Sequence, residues 1–447
     1  MKPSLPKGIR DFLPNEVLKR KYIFETVEKV FKKNAYVAIE TPTMENLETL
    51  TGKYGEEGDQ LLFKVMNNGD FLKKSDAQAF EERNSSKFAH SISKRGLRYD
   101  LTVPFARYVV MHQNDISFPF KRYQIQPVWR ADRPQKGRYQ EFYQCDVDVV
   151  GSDSLMYEAE LVKIYDEVFT ALNLEVEIKV NNRKILAGIA EVSGLSDQFM
   201  TMTIILDKLD KIGEAKVVEQ LEGLGLSNEK ALYIIELIGS SCLEDFEVAF
   251  QDSEMGQLGI QELKDFHQYL DVVTTNNKVV FDPSLARGLS YYTGCIFEVK
   301  SLETEMGSIG GGGRYADLTS NFGLKNMPGV GVSFGAERIY DVMEELGKFP
   351  ETLSVAPDIL FVTFGAQEHI RAFKWSGLLR EKGIVSDVYP DFGKMKKQMK
   401  YADQINVQYV AIIGEEEMNK DVVSLKNMKT GEQEEVNFDA LLTKIDR

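Results

Sequence analysis

Cysteine and histidine are scarce in this chain, and their scarcity removes whole classes of chemistry. The three cysteines, Cys145, Cys242 and Cys295, are odd in number and far apart, which excludes a disulfide framework and a CxxC metal site. The four histidines, His90, His112, His267 and His369, form no HxxxH or HExxH spacing, so no protein-held metal is expected. No apolar run reaches the roughly 18 residues of a membrane span, and the opening MKPSLPKGIRDFLP lacks the apolar centre of a signal peptide. A cytoplasmic protein with no membrane partner is therefore expected. Positive charge is in deficit too, with 54 Lys and Arg against 69 Asp and Glu and a net charge of -15. That balance counts against nucleic-acid binding only if basic residues are spread evenly, because affinity follows the local patch and not the total.

What is present is organised around Phe120 to Val150, FKRYQIQPVWRADRPQKGRYQEFYQCDVDVV. Two strictly alternating runs flank a loop rich in Arg, Lys, Gly and Pro, the pattern of an antiparallel hairpin with a long basic connection. In the first run Tyr123, Ile125, Pro127 and Trp129 share one face, and Arg122, Gln124, Gln126 and Arg130 share the other. In the second, Tyr143, Cys145, Val147 and Val149 oppose Phe142, Gln144, Asp146 and Asp148. The polar face offers a guanidinium, amides, carboxylates and an aromatic ring, a set suited either to water or to gripping a polar ligand. The connecting loop carries Arg130, Arg133, Lys136 and Arg138 against Asp132 alone, and Lys394, Lys396, Lys397 and Lys400 form a second basic cluster. Each of these clusters also fits an ordinary solvated surface.

At 447 residues the chain needs more than one core. Asn15 is placed to cap a helix bearing Leu18, Tyr22, Val27, Val30 and Phe31 at helical spacing. A short strand, AYVAIETP, stops at Pro42. LLFKVMNNGDFL predicts a hairpin around Asn68-Gly69. GLRYDLTVP alternates again, leaving Asp100 and Thr102 on a polar strip before a helix that Pro104 is placed to open. Residues 184–270 read as helical throughout, with breaks at Gly194, Gly213, Gly223 and Gly239, and are taken as an insertion. Strand patterning returns at KVVFDPSLARGLSYYTGCIFEVK. The run Gly310 to Gly313 is followed by no Gly-Lys-Ser/Thr and is not a phosphate loop of that type; close approach of two backbones or of a flat ligand explains it better. GVGVSFGAERIY sets Arg338 in the first turn of a helix, where a cation opposes the dipole unless an anion is present. After Pro350 the pattern changes to strands alternating with helices, predicting a separate α/β domain with a mostly parallel sheet.

Taken together, these segments resemble the class II aminoacyl-tRNA synthetases, and within that class the histidyl-tRNA synthetase family. WRADRPQKGRYQEFYQCDVD is similar to motif 2, GVGVSFGAERI to motif 3, AIETP to the proline-ended motif 1, and LARGLSYYTG to a signature of the histidine-specific members; RYDLTVP adds a fifth token. The resemblance implies an α+β fold. Residues 1–348 would form the catalytic core, an antiparallel sheet flanked by helices and interrupted by the helical insertion at 184–270, and residues 349–447 an anticodon-binding α/β domain. It further implies a homodimer that takes L-histidine, ATP with Mg2+, and tRNA(His). Arg130 and Arg287 would be catalytic, stabilising charge at the α-phosphate from opposite sides, and would count among the histidine-binding residues. Arg138 and Arg338 would hold the outer phosphates, and Phe142 would stack on adenine. Asp100, Thr102 and Gln144 would accept the α-ammonium, Asp148 and Tyr292 would take the two imidazole nitrogens, and Tyr291 would wall the pocket. Arg133 and Gln135 would meet the extra guanosine of the tRNA, and Lys394, Lys396 and Lys397 the anticodon arm. Ser290 stands where many relatives carry an acidic residue. Arg287 and Tyr292 differ in strand parity, which a bulge or turn at Gly288 would reconcile. Two alternatives share the fold: a non-catalytic regulatory relative, which should lack parts of the signature or the last domain, and a class II enzyme for another amino acid, against which Tyr291-Tyr292 speaks.

Overall fold

The computed structural model describes residues 2–51, 61–286, 291–316 and 318–445. The chain divides into two compact units, Met1–Pro350 and Glu351–Arg447. The first is built on eight strands: β1 (Val37–Ala38), β2 (Phe120–Trp129), β3 (Glu141–Val150), β4 (Val176–Asn182), β5 (Lys278–Phe281), β6 (Tyr292–Ser301), β7 (Gly310–Tyr315) and β8 (Gly329–Gly335). They lie in the order β1-β2-β3-β8-β7-β6-β4-β5. The inner six strands pair antiparallel, and only the edge strands β1 and β5 pair parallel. The fold is thus α+β with an antiparallel sheet, unlike a doubly wound nucleotide-binding fold.

The β2-β3 register sets like against like. Arg122 faces Asp148, Gln124 faces Asp146 and Gln126 faces Gln144, so the middle of one side of the hairpin is polar, bounded by Phe120 with Val150 and by Val128 with Phe142. On the other side Tyr123, Cys145, Val147 and Val149 join the main hydrophobic core. Three helices supply the rest of that layer: α1 (Pro14–Lys33), α3 (Met156–Ala171) and α4 (Ala336–Leu346), with α2 (Thr102–Met111) elsewhere. Phe31 of α1 lies 5.5 Å from the Tyr123 ring and 5.7 Å from Phe334, and Tyr165 of α3 lies 4.7 Å from Phe334. Burying each such ring contributes about 1.5–3 kcal/mol, which ties the helices to the back of the sheet. The helices between Arg183 and Leu270 add Ile185, Leu186, Phe246, Phe250 and Phe266 to the same continuous core.

Three local expectations change. Helix α1 begins at Pro14, not after an Asn15 cap; proline needs no N–H partner at the first position, and Glu16 accepts the Leu13 N–H at 2.6 Å. No hairpin forms around Asn68-Gly69: Gly69 does turn, at φ +78°, but Lys64–Val65 pairs with the later strand Arg95–Leu97, and Asn67 is tied to Ile92 and Lys94. Helix α2 starts at Thr102 with Pro104 inside its first turn.

In the second unit β9 (Ile359–Thr363), β10 (Ser386–Val388), β11 (Tyr409–Ile413), β12 (Val423–Asn427) and β13 (Gln433–Val436) order as β10-β9-β11-β12-β13. The sheet is mixed where a mostly parallel one was expected. β9 pairs parallel with β10 and β11 through helical crossovers, but β12 and β13 are antiparallel. The connection from Ile413 to Val423 holds only the six-residue helix Glu415–Lys420 and is shorter than the roughly dozen residues that a parallel crossover needs.

Candidate active site

The polar face of the β2-β3 hairpin is not solvated. Arg122, Gln124, Gln144, Asp146 and Asp148 are all buried, which is costly for such groups unless something polar faces them. Two cavities open on this face. The smaller, about 160 Å³, is lined by Asp100, Thr102, Asp146, Asp148, Tyr291, Tyr292 and Tyr315 among others. The larger, about 340 Å³, is lined by Arg138, Phe142, Ser308, Gly335 and Arg338 among others. Arg130, Gln144, Gly311 and Ser333 line both, so the two chambers join at Arg130 and Gln144.

Glycine keeps the floor of the smaller chamber low. A Cβ at Gly331 would sit 1.9 Å from Asp148 Oδ1, so only glycine leaves that carboxylate its place. Asp148 in turn sits beside Arg122, whose Nη2 is 2.7 Å from its Oδ2. That nitrogen and Nε have no aligned acceptor, so the contact is ionic more than a formed hydrogen bond. The Tyr315 hydroxyl donates to Asp148 Oδ1 at 3.1 Å. Burial nevertheless holds the Asp148 carboxyl above its usual range, against the pull of Arg122 and Tyr315. Tyr291 and Tyr292 stand edge to face at 4.6 Å, and burial raises both phenols. Asp100, just ahead of α2, accepts the Val103 N–H at 3.3 Å while also lining the chamber. Gln144 donates from Nε2 to Ser333 Oγ at 3.0 Å, and its buried Oε1 has no partner. An acceptor left unpaired beside a cavity invites a donor from a ligand.

In the larger chamber Arg130 spends its Nε on the Tyr99 carbonyl at 2.8 Å, and its guanidinium stands 5.1 Å over the Phe142 ring. Arg338 occupies the first turn of α4, and its conflict with the dipole is relieved by carbonyls: Nε donates to Gly137 O at 2.8 Å and Nη1 to Ser308 O at 2.5 Å. This clamps the tip of the hairpin loop, where Gly137 has φ +70°. The amino-terminal leader braces the same loop. Gly8 O accepts the Gln140 N–H at 2.8 Å and the Arg10 guanidinium stands 3.6 Å over the Tyr139 ring, while Arg10 and, from α1, Arg20 hold Glu337 of α4 at 2.7 and 2.6 Å. With Glu337 so engaged, Asp132 is the acidic side chain of this chamber left for a cation, and no cluster of three potential metal ligands occurs among the described residues. The chamber fits a cation that arrives on a polyphosphate better than one caged by the protein.

Among the residues singled out from the sequence, Asp100, Thr102, Gln144, Asp148, Tyr291 and Tyr292 surround the small chamber, and Arg138, Phe142 and Arg338 the large one. Arg287, Gly288 and Ser290 lie outside the described residues. A register shift is present one strand over, between Gly313 and Tyr315, and it sets Tyr292 opposite Tyr315. Arg133 and Gln135 are exposed in the hairpin loop, and Lys394, Lys396 and Lys397 are exposed in the second unit, the first preceding and the others within the helix Met395–Gln404. Sequence reasoning assigned no role to Arg122, Asp146, Tyr315 or Ser333. The alternation already placed Arg122 and Asp146 on the polar face, so their burial was the missing fact. Nothing in GGGGRYADL or GVGVSFG singled out Tyr315 or Ser333.

An antiparallel sheet carrying an arginine-lined chamber joined to an acidic one, on a motif-2-like hairpin, defines the catalytic domain of a class II aminoacyl-tRNA synthetase. The chain belongs to the histidyl-tRNA synthetase family, whose model matches residues 8–72 and 70–339, with an anticodon binding domain matched at 359–447. It is 54% identical to the histidine–tRNA ligase of Christiangramia forsetii and 53% identical to that of Porphyromonas gingivalis, in each case over 98% of both chains. It is also similar to the crystal structure of histidyl-tRNA synthetase from Nostoc sp. PCC 7120, at 31% identity and a TM-score of 0.83, covering 100% of this chain and 99% of that one.

Proposed function

We propose that this chain charges tRNA(His) with L-histidine, activating the amino acid with ATP in the joined chambers. In the first step a histidine carboxylate oxygen bonds to the α-phosphorus and the bond to pyrophosphate breaks. In the second, the terminal ribose hydroxyl of the tRNA bonds to the carbonyl carbon and AMP leaves. The observation that carries this reading is the sharing of Arg130 by an acidic and an arginine-lined chamber. Negative charge grows at the α-phosphorus, and a preorganised cation there is worth about 10²–10³ in rate, by analogy with oxyanion-hole donors. Arg130 takes that role with Arg287, while Arg138 and Arg338 hold the outer phosphates and Phe142 packs on adenine. Mg2+ bound with ATP would supply further neutralisation of the phosphates.

Asp100, Thr102 and the unpartnered Gln144 Oε1 receive the α-ammonium. Asp148 and Tyr292 take the two ring nitrogens, with Tyr291 as the wall. Requiring both ring contacts can reject ligands lacking them by roughly 10⁴-fold, so no editing domain is needed. The measurement that checks the whole reading is isotope exchange of pyrophosphate into ATP: it should require histidine, and exchange driven by proline or threonine would overturn the assignment.

Arg133 and Gln135 meet the acceptor end of the tRNA, and Lys394, Lys396 and Lys397 its anticodon arm. Lys397 is the weakest of the three lysines, since Asp391 already lies 3.1 Å from its Nζ. Replacing Lys394 and Lys396 by Gln should weaken tRNA binding and reduce the slope of log K against log salt by about two for two lost phosphate contacts. Adenylate formation should be untouched; a filter-binding titration at several salt concentrations reads both quantities. A homodimer is supported by the motif-1-like segment at the sheet edge, where Val37 of β1 is 52% exposed. Cytoplasmic residence is supported by the substrates. No helix among the described residues is long and apolar enough to cross a membrane.

A further inference from the structure

Asp146 lines the small chamber, yet no role has fallen to it. It lies between Gln144 and Asp148 on the same face of β3, across from Gln124 on β2 and Ser333 on β8. Its side chain is buried, and its near partners are neutral: the Ser333 hydroxyl and Gln144 Nε2 at 3.5 Å, the outer limit of a hydrogen bond. The cations around it are committed elsewhere. Arg122 is closest to Asp148 at 2.7 Å, Arg130 of the same chamber is anchored through Nε on the Tyr99 carbonyl, and Arg98 donates to the carbonyls of Thr41 and Pro127 and to Gln126. Asp100 and Asp148 add two more carboxyls, and the remaining titratable neighbours are the phenols of Tyr165, Tyr292 and Tyr315 and the Cys145 thiol on the core side of the strand, none of them a cation. A buried carboxyl with no cation of its own, facing a cavity, is costly unless a ligand brings the charge.

We propose that Asp146 completes the α-ammonium subsite, pairing its carboxylate with the substrate's ammonium while Gln144 Oε1 takes a second N–H. The proposal rests on the histidine reading above and gives that subsite a second carboxylate beside Asp100. Asp146 is thus a binding residue whose charge is satisfied only when substrate is present.

The empty and filled proteins should then respond oppositely to the same change. Burial and the neighbouring carboxylates push the Asp146 carboxyl up to about 7, far above an unfolded aspartate. A raised folded value means that stability falls as pH rises from the unfolded value towards 7 and stays low above it. Asp146→Asn removes that penalty, so without ligand it should melt higher than wild type at pH 8, with the gap shrinking towards pH 5. Ligand binding should move the other way. Calorimetric titration of wild type and Asp146→Asn would use three ligands: L-histidine; L-histidinol, which keeps the ammonium but lacks the carboxylate; and 3-(imidazol-4-yl)propanoate, which lacks the ammonium. The variant should lose about tenfold or more for the first two, as befits a hydrogen bond to a charged group, and less than about threefold for the third. Equal losses for all three, no loss for any, or a ligand-free melting temperature that falls would each overturn the proposal. Failure of wild type to bind histidine would instead remove the functional reading beneath it.

Discussion

Arg130→Ala should lower the turnover of histidine-dependent pyrophosphate exchange by about 10²–10³-fold and leave the KM for histidine within a few-fold. The argument is positional. Arg130 is the charged side chain common to both chambers, and the Tyr99 carbonyl at 2.8 Å and the Phe142 ring at 5.1 Å fix its plane before any substrate arrives. A cation held in advance acts on the charge that grows during the reaction, more than on the ground state. Arg130→Lys keeps a charge but loses the planar fork and the Tyr99 anchor, so it should recover only part of the rate. Single-turnover formation of the adenylate isolates the chemical step from product release. A variant whose loss lies wholly in the KM for histidine or ATP would demote Arg130 to a binding group. Arg287→Ala should resemble Arg130→Ala, and the double variant should fall short of the product of the two losses if both act on one phosphate as proposed.

Much of this was legible in the alternation of one hairpin. The strands Phe120–Trp129 and Glu141–Val150 and their polar and apolar faces follow from period-two patterning. Periodicity says which residues share a face; it does not say whether that face meets water or a cavity. What covers the face comes from far away in sequence: Asp100 and Thr102 from one side, Tyr291 from another, and the glycine strands β7 and β8 from a third. For the same reason the pattern put Arg122 on the polar face without showing that it is wholly buried beside Asp148. The Asn68-Gly69 error has the same origin. A turn dipeptide fixes a local bend, but the partner of Lys64–Val65 is chosen by a strand about 30 residues later. The bracing of the motif-2-like loop by Gly8, and by Arg10 over the Tyr139 ring, had no sequence signal, because a leader without periodicity reveals nothing about its docking.

The Asp148–Arg122 pair separates recognition from architecture. Asp148→Ala should lower kcat/KM for histidine by about 10³-fold, in keeping with the roughly 2–5 kcal/mol lost when one member of a buried polar contact is truncated. It should also destabilise the fold by about 3–5 kcal/mol, because Arg122 would be left as an unpaired buried cation. The two losses have different remedies. Removing the charge on both sides, with Arg122→Met and Asp148→Leu together, should restore most of the stability, since apolar pairs of similar volume often replace buried ion pairs at little cost. It should restore none of the histidine-dependent exchange, because the imidazole would still lack its acceptor. Urea denaturation and pyrophosphate exchange on the same three preparations read the two quantities independently. If activity returned with stability in the double variant, Asp148 would be a scaffold residue. Recognition of the ring would then have to fall to Tyr292 and Tyr315 alone, which supply hydroxyls but no charge.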